Sequence, residues 1–463
     1  MSDQVEPTIA AIATPPGQGG IGIVRISGAQ ALPILRKLFQ PRHATSSLTT
    51  HRLYYGWIVH PDSGAPLDEV LAVYMQAPNS YTREDVVEVH CHGGPLVLQA
   101  ILAQILAAGA QPAAPGEFTK RAFLSGRIDL TRAEAVLEML AAKTGEGVKL
   151  AAAHLAGGLQ GEVEEVRQVL LDARAVLEVA IDFPDEENEI MAPGDFQTRL
   201  VEGAVMPLRR LIASADQGRI FREGVAVVIL GRPNVGKSSL LNALLREERA
   251  IVTAVPGTTR DTIEEYLDIR GIPVRIADTA GIRETSEAVE EIGIQRARRK
   301  LGEADLVLLL LDAGVPLCQA DLDLYGAVQG KPFIIVVNKV DLLDDAVGLA
   351  SFTDAFPNQT LVPMSAKTLA GLDSLEAAIH AKVTGGDRPE AVHRIAPNVR
   401  HKASLVKALA IIEQLLAGLS TALAPDLLVI EIQEALDALG EIVGATTTED
   451  VLDRIFSRFC LGK

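Results

Sequence analysis

The chain of 463 residues is too long for one hydrophobic core and implies two or three domains. Its net charge of −17 is spread so that no segment is basic, from −1 over residues 1–121 to −8 over 122–218, which argues against strong non-specific binding of nucleic acid but not against an RNA partner held in a complex. Cys91, Cys318 and Cys460 stand far apart without paired spacing, so neither a disulfide framework nor a zinc site is indicated and a reducing cytoplasm fits.

Residues 1–121 carry short β-rich runs, Ile21–Ile26, Leu71–Met75 and Val86–His90, broken by Gly and Pro, and read as an α+β domain. The start, Met1-Ser-Asp-Gln-Val-Glu, has no signal-peptide character, and the longest clean apolar runs are strand-sized, so no membrane association is expected. His90 and His92 fall on one strand face, but no third metal ligand is evident. Residues 131–180 read as an amphipathic helix with Val166, Val169, Leu170, Ala173 and Leu177 on one stripe. The same character returns at Leu428, Ile432, Ala435, Leu436, Leu439 and Val443. Two helical flanks that pack together would make the middle of the chain an insertion, with hinges at Gln217-Gly-Arg219 and Gly385-Gly-Asp387; separate bundles are the alternative. The domains expected are 1–121, 122–218, 219–381 and 382–463.

In the middle segment the apolar run Val225–Leu230 leads as a strand into Gly231-Arg-Pro-Asn-Val-Gly-Lys-Ser238, and Ser239-Leu-Leu-Asn-Ala-Leu-Leu leaves it as a helix. Strand, loop and helix are the setting that a phosphate-binding loop requires. The stretch Asn234, Val235, Gly236, Lys237, Ser238 and Ser239 can wrap the phosphates, with Lys237 on the β and γ oxygens and Ser238 on Mg²⁺. Asn338-Lys-Val-Asp341 follows the apolar strand Phe333–Val337 and reads guanine. The Asp341 carboxylate accepts the ring N–H and the exocyclic amino hydrogens together, while Asn338 and the stem of Lys339 hold the loop and cover the base. Ser365, Ala366 and Lys367 resemble the last signature of a GTPase, where a backbone N–H meets guanine O6. Asp278, Thr279, Ala280 and Gly281 resemble the third, with Asp278 near Mg²⁺ and the Gly281 N–H at the γ-phosphate. Four signatures in order point to a Ras-like α/β P-loop GTPase domain.

Gly257-Thr-Thr-Arg-Asp261 is the candidate first switch, with Thr259 completing the Mg²⁺ shell; the neighbouring Thr258 leaves this register open by one. Ile282 occupies the place where a Ras-like enzyme carries a water-positioning glutamine, and an isoleucine cannot orient water. Either the domain barely hydrolyses GTP, or it recruits water and stabilises transition-state charge by other means. A potassium ion held by the Asn234 amide oxygen and by switch carbonyls would supply charge stabilisation, whereas a hydrogen bond within the loop is the plainer role for that amide. A carboxylate between Glu284 and Glu291 is the natural candidate for the water, although a solvated helix face reads equally from that stretch. The chain ends in an apolar run, Ile455 to Lys463, expected to be docked; Cys460 within it reads first as a buried structural cysteine and second as a reactive thiol.

Over nearly its whole length the chain resembles the MnmE (TrmE) tRNA-modification GTPases. The resemblance is carried by Ala13-Thr-Pro-Pro-Gly-Gln-Gly-Gly20, Arg25-Ile-Ser-Gly28, Pro115-Gly-Glu-Phe118, Arg121-Ala-Phe-Leu124, Ala180-Ile-Asp-Phe-Pro-Asp-Glu186, the GTPase motifs and the terminal Cys-Leu-Gly-Lys. It implies a multidomain protein: an α+β N-terminal tetrahydrofolate-binding domain that also forms a homodimer, an α-helical bundle domain built from both flanks, and an inserted G domain. It further implies K⁺-activated GTP hydrolysis that, with an FAD-containing MnmG partner, drives carboxymethylaminomethyl-type modification at C5 of the wobble uridine of certain tRNAs. Matching motif positions put K⁺ ligands at Asn234, Thr253, Val255 and Thr258, Mg²⁺ ligands at Ser238 and Thr259, and the water-positioning carboxylate at Glu290, with Arg260 and Asp261 among the catalytic residues. Thr253, Thr258 and Thr259 also count as nucleotide contacts. Contacts to 5-formyltetrahydrofolate or a related reduced folate fall at Arg25, Glu88, Arg127 and Lys463, the arginines pairing with glutamyl carboxylates and Glu88 with the amino-pteridine; Cys460 is a possible catalytic residue. A ribosome-assembly switch of the Era or Der type, the main rival, would need a basic RNA-binding appendage, and none is visible.

Overall fold

The computed structural model describes residues 6–43, 47–183, 193–246, 250–252, 265–276, 301–302, 304–343, 347–386, 395–421 and 423–463. The chain forms two compact units, one of Met1–Leu137, Leu155–Arg167 and Val429–Lys463, the other of Glu138–His154 and Gln168–Leu428.

The first unit holds a seven-stranded sheet of β1 (Ile9–Ile12), β2 (Gly19–Ser27), β3 (Phe39–Pro41), β4 (Leu53–Val59), β5 (Pro66–Met75), β6 (Val86–Gly93) and β7 (Gln111–Pro112), in the order β3-β4-β5-β6-β2-β1-β7. Side chains alternate across the strands. Val24, Ile26, Val87 and Val89 face the helices Ala31–Leu38 and Pro95–Ala107, forming a core with Ile34, Leu35, Ile101 and Ile105. Arg25 and Glu88, intercalated in that alternation, therefore share the opposite face and are direct cross-strand partners. That face also carries Ile9 and Ala11, which pack with Phe118 and Tyr81. The C-terminal tail is docked as its apolar residues require: Leu452, Ile455, Phe456 and Phe459 pack against Leu130 and Ala133, and Gly462 (φ +87°) lies so close to the Ile12 carbonyl that a Cβ there would collide with it.

The second unit contains β8 (Val225–Leu230), β9 (Ala250–Val252), β10 (Glu265–Ile269), β11 (Ile272–Ile276), β12 (Leu306–Asp312), β13 (Phe333–Asn338) and β14 (Leu361–Pro363), ordered β14-β13-β12-β8-β11-β10-β9. The run from β14 to β11 is parallel, and β10 and β9 continue it antiparallel. A parallel sheet is covered on both faces, which is why β8, β12 and β13 are buried at every position. Val227, Leu308 and Val336 pack on one side with Leu240 and Leu244 of the Lys237–Arg246 helix and Leu375 of the Leu372–Thr384 helix. Val228, Leu309 and Val337 pack on the other side with Val328 and Phe352.

Residues 131–180 are three helices, Leu130–Ala141, Gly145–Leu155 and Gly158–Asp182, instead of the single helix expected. The expected stripe lies on the third, where Val166, Leu170, Ala173 and Leu177 are buried and Val169 is half-buried. The Met206–Glu223 helix runs unbroken through Gln217-Gly-Arg219, so the first hinge is not there; the chain turns at Gly224 (φ +82°), whose Cβ would collide with the Pro273 carbonyl. Gly385 (φ +74°) and Gly386 (φ +89°) end the Leu372–Thr384 helix as the second hinge requires, while Asp387 lies outside the described residues. Gly218 admits Ala396 against the departing helix, Arg222 donates to the carbonyls of Ala396 and, at 2.7 Å, Pro397, and the Ala396 amide donates to His154 Nε2 at 3.2 Å. The chain thus leaves for the parallel sheet and returns at one place, and the P-loop domain is an insertion in a helical one. The Val399–Ser420 helix corrects the expectation that apolar runs are only strand-sized: by length and hydropathy, 1.5, it could cross a membrane. It instead packs along the Met206–Glu223 helix, with Lys402 Nζ on Asp216 at 2.7 Å and Arg209 on Glu413 at 2.7 Å.

Candidate functional site

The loop that leaves β8 at Leu230 is held from three directions. Asn234 has φ +63°, a left-handed conformation that asparagine tolerates better than most residues, so the backbone supplies its own reason for an asparagine here. Its side chain is exposed, and no hydrogen bond of the amide is seen among the described residues, so the plainer role of a bond within the loop is not found there. Its carbonyl accepts Lys339 Nζ at 2.8 Å, and the same ammonium reaches Asp312 Oδ2 at 2.6 Å. The Val235 carbonyl accepts Asn338 Nδ2 at 2.8 Å, while Asn338 Oδ1 accepts the Ala366 amide at 2.9 Å. Gly236 (φ +99°) must be glycine, since a Cβ would collide with that Asn338 amide. Phosphate loop, guanine motif and last signature are therefore gathered by one buried side chain.

Lys237, at the first position of its helix, donates Nζ to the carbonyls of Gly231 at 2.8 Å and Arg232 at 2.7 Å. Burial pushes its pKa below the usual lysine value. Ser238 and Ser239 are both exposed on the first helical turn. Asp341 stands exposed on the short turn Val340–Leu342, where its carboxylate can meet a base. Ser365 is fully buried, its Oγ accepting the Thr368 amide at 3.2 Å; Lys367 is exposed.

Thr253, Val255, Thr258, Thr259, Arg260, Asp261, Asp278, Thr279, Ala280, Gly281, Ile282 and Glu290 lie outside the described residues. What joins their two stretches is described. β10 and β11 pair as a hairpin whose turn, Arg270-Gly271, rests on the segment before the Gly145–Leu155 helix: the buried Thr144 donates Oγ1 to the Gly271 carbonyl at 2.8 Å, Arg270 donates to the Asp373 carbonyl at 3.2 Å, and Lys143 Nζ lies 3.4 Å from the centroid of the Tyr266 ring.

On the N-terminal sheet, Arg25 Nε donates to Glu88 Oε1 at 2.8 Å and its guanidinium lies 5.6 Å from both the Tyr81 and Phe118 rings. Arg127 lies 4.8 Å from the other partner it shares with Arg25, the Tyr81 ring, and the Gly462 carbonyl, one residue before Lys463, accepts Arg25 Nη1 at 3.4 Å. Arg25, Glu88, Arg127 and the chain end are thus brought to one cluster, though Arg25 is engaged by Glu88 instead of being open to a ligand carboxylate. His90 contacts Glu88 at 3.3 Å and His92 contacts Asp68 at 2.6 Å. Cys460 is exposed, which corrects the expectation of a buried structural cysteine. The tail uses Phe459 and the Cys460 carbonyl, which accepts the Gly116 amide at 3.5 Å, and turns the thiol outward.

Two family models match consecutive parts of the chain. A model described as the TrmE GTP-binding protein N-terminus matches residues 8–127, and one described as the MnmE helical domain matches 130–460. A tRNA modification GTPase MnmE of Desulfotalea psychrophila is 51% identical over 459 residues, covering 98% of both chains. The chain belongs to the MnmE (TrmE) family. Another MnmE, from Carboxydothermus hydrogenoformans, is 43% identical, covering 99% of this chain and 100% of its own. Among solved structures, Aquifex aeolicus Era bound to GDP and aluminium fluoride is 30% identical over 40% of this chain and 66% of its own, with a TM-score of 0.28. MnmE relatives match both flanks as well as the middle, so the Era-type alternative is not favoured.

Two carboxylates near the loop carry no motif and escape sequence reasoning. Asp312 ends β12 and holds Lys339; a lone carboxylate closing the apolar run Leu306–Leu311 was the available signal. Asp321 holds Arg232 at 2.7 Å, and nothing in the sequence marks it.

Proposed function

We propose that the chain binds guanine nucleotides around Gly231–Ser238 and, as a tRNA-modification GTPase, hydrolyses GTP to GDP and phosphate. The observation that carries this reading is the double hydrogen bond of Asn338 to Val235 and Ala366, which brings phosphate-binding and base-reading motifs together. Lys237, steadied by its two loop carbonyls, binds the β and γ phosphates, and Asp341 selects guanine over adenine. Ser238, with Thr259, is suited to hold Mg²⁺, which neutralises charge developing on the phosphates.

Potassium fits at Asn234, whose exposed amide oxygen is a hard neutral donor of the kind that ion takes; Thr253, Val255 and Thr258 complete the expected set. Glu290 positions the attacking water that Ile282 cannot, with Arg260 and Asp261 in the same catalytic region. The domains are residues 1–121, 122–218, 219–381 and 382–463, and two copies associate through the first. That domain holds a reduced folate at Arg25, Glu88, Arg127 and Lys463: the paired charges and the Tyr81 ring fit a flat, amino-substituted heterocycle with a carboxylated tail. With an FAD-containing MnmG partner, hydrolysis drives carboxymethylaminomethyl-type modification at C5 of the wobble uridine, position 34, of certain tRNAs. Cys460, with its exposed thiol, is a possible participant in that chemistry. Three free cysteines agree with a cytoplasmic location.

Turnover measured in KCl and in NaCl tests the potassium reading: faster hydrolysis in KCl by about tenfold or more is expected, and equal rates would sink it. Mass spectrometry of tRNA nucleosides from a deletion strain tests the rest; an unchanged wobble uridine would remove the tRNA role.

A further inference from the structure

Asp321 is 1% exposed, a carboxylate placed where an unpartnered charge would be severely penalised. It sits at the third position of the Gln319–Val328 helix, and its two oxygens do different things. Oδ2 accepts the Cys318 amide at 3.1 Å and closes the helix N-terminus. Oδ1 accepts Arg232 Nε at 2.7 Å. Arg232 is the second residue of the phosphate loop, and its own carbonyl accepts Lys237 Nζ at 2.7 Å. Residue 232 is thus held at both ends, by its side chain to a helix outside the loop and by its carbonyl to the lysine that meets the phosphates. The carboxylate keeps the guanidinium firmly charged, its pKa raised by that hydrogen bond, and matches its charge. Lys237, by contrast, faces only carbonyls among the described residues and bears its burial without a carboxylate.

We propose that Asp321 is a positioning residue for GTP binding and turnover: through Arg232 it fixes the second residue of the phosphate loop, and with it the carbonyl that receives Lys237, in the shape the phosphates need. The inference rests on the GTPase reading above. A helix cap alone would have no use for Oδ1, and a tether alone would have no use for Oδ2; this residue carries both, and they can be separated. Arg232→Ala removes the tether and leaves the cap, but strands the buried charge of Asp321. Adding Asp321→Asn relieves that charge while the amide oxygen still caps Cys318.

The full chain in K⁺ and Mg²⁺, its R232A variant and the R232A/D321N double variant would be compared for release of a fluorescent GDP, for kcat and KM, and for thermal unfolding without nucleotide. Arg232→Ala is expected to lower kcat/KM roughly 10- to 100-fold and to hasten GDP release. The double variant is expected to regain unfolding temperature but not kcat/KM. Recovery of both in the double variant, or wild-type release and turnover in R232A, would overturn the positioning role. A wild-type chain that binds no GDP would instead overturn the GTPase reading, and the inference with it.

Discussion

Asn338 donates Nδ2 to the Val235 carbonyl at 2.8 Å, and this bond ties β13 to the loop that follows β8. The same side chain accepts the Ala366 amide, so Asn338 acts as a rivet through three segments, beside the bond from Lys339 to the Asn234 carbonyl. Asn338→Ala leaves a buried carbonyl and a half-buried amide unpaired, at about 1–3 kcal/mol each. A fall of that order in unfolding free energy from denaturant titration is expected, together with a loss of GDP affinity of about tenfold or more. Wild-type affinity in a folded variant would mean that the three motifs do not act as one site.

The Arg25–Glu88 pair makes a prediction about ligand binding. Both side chains are mostly buried, 19% and 17% exposed, and each neutralises the other. Replacing both by Ala removes the charges together, so neither is stranded. Calorimetry with 5-formyltetrahydrofolate should then give a tenfold or greater loss of affinity, equivalent to about 1.4 kcal/mol. Unchanged affinity in the double variant would place the folate elsewhere.

His380 introduces a pH dependence. It is 8% exposed on the Leu372–Thr384 helix, its Nε2 has no hydrogen-bond partner among the described residues, and burial, with a smaller contribution from the Arg270 charge, lowers its pKa below 6.5. The folded state resists a proton that the unfolded state accepts. Nothing is lost above pH 6.5; stability falls as pH drops below it, by at most about 1.4 kcal/mol per unit for one proton, until the folded imidazole also titrates. His380→Leu should flatten the decline in unfolding midpoint between about pH 6.5 and 5. An identical decline in the variant would assign the acid sensitivity to other groups.

The cysteines should separate by reactivity. Cys460 is exposed, whereas Cys91 is buried, donates Sγ to the Gly22 carbonyl at 3.3 Å and has its pKa pushed up to about 11 by burial. Brief treatment of the native chain with iodoacetamide at mildly alkaline pH, read by peptide mass spectrometry, should modify Cys460 well before Cys91. Comparable labelling would mean that the N-terminal sheet opens readily.

Much of this was readable in the residues where the physics is local. Val225–Leu230 and Phe333–Val337 could only be buried strands, and the motifs that follow them are held by backbone conformations their own residues favour, as at Asn234. The exposed Cys460 was not readable, because burial of the tail is settled by which of its residues meets Leu130 and Ile12, and those contacts span more than three hundred positions. The same holds for Asp321: only the folded chain puts it beside residue 232. Gln217-Gly-Arg219 looked like a hinge from composition, yet Gly218 is needed inside a helix to admit Ala396.

The Thr144–Gly271 bond has a mechanical side. β10 begins four residues after Asp261, β11 ends two residues before Asp278, and the bend between them is clasped by a hydroxyl from outside the sheet. A two-stranded tine fixed at its bend has no slack to give there. A pull on either strand is resisted at β8 and β9 and, at the bend, by the Thr144 hydroxyl together with the Arg270–Asp373 bond, so part of it is borne by the segment Lys143–Glu146.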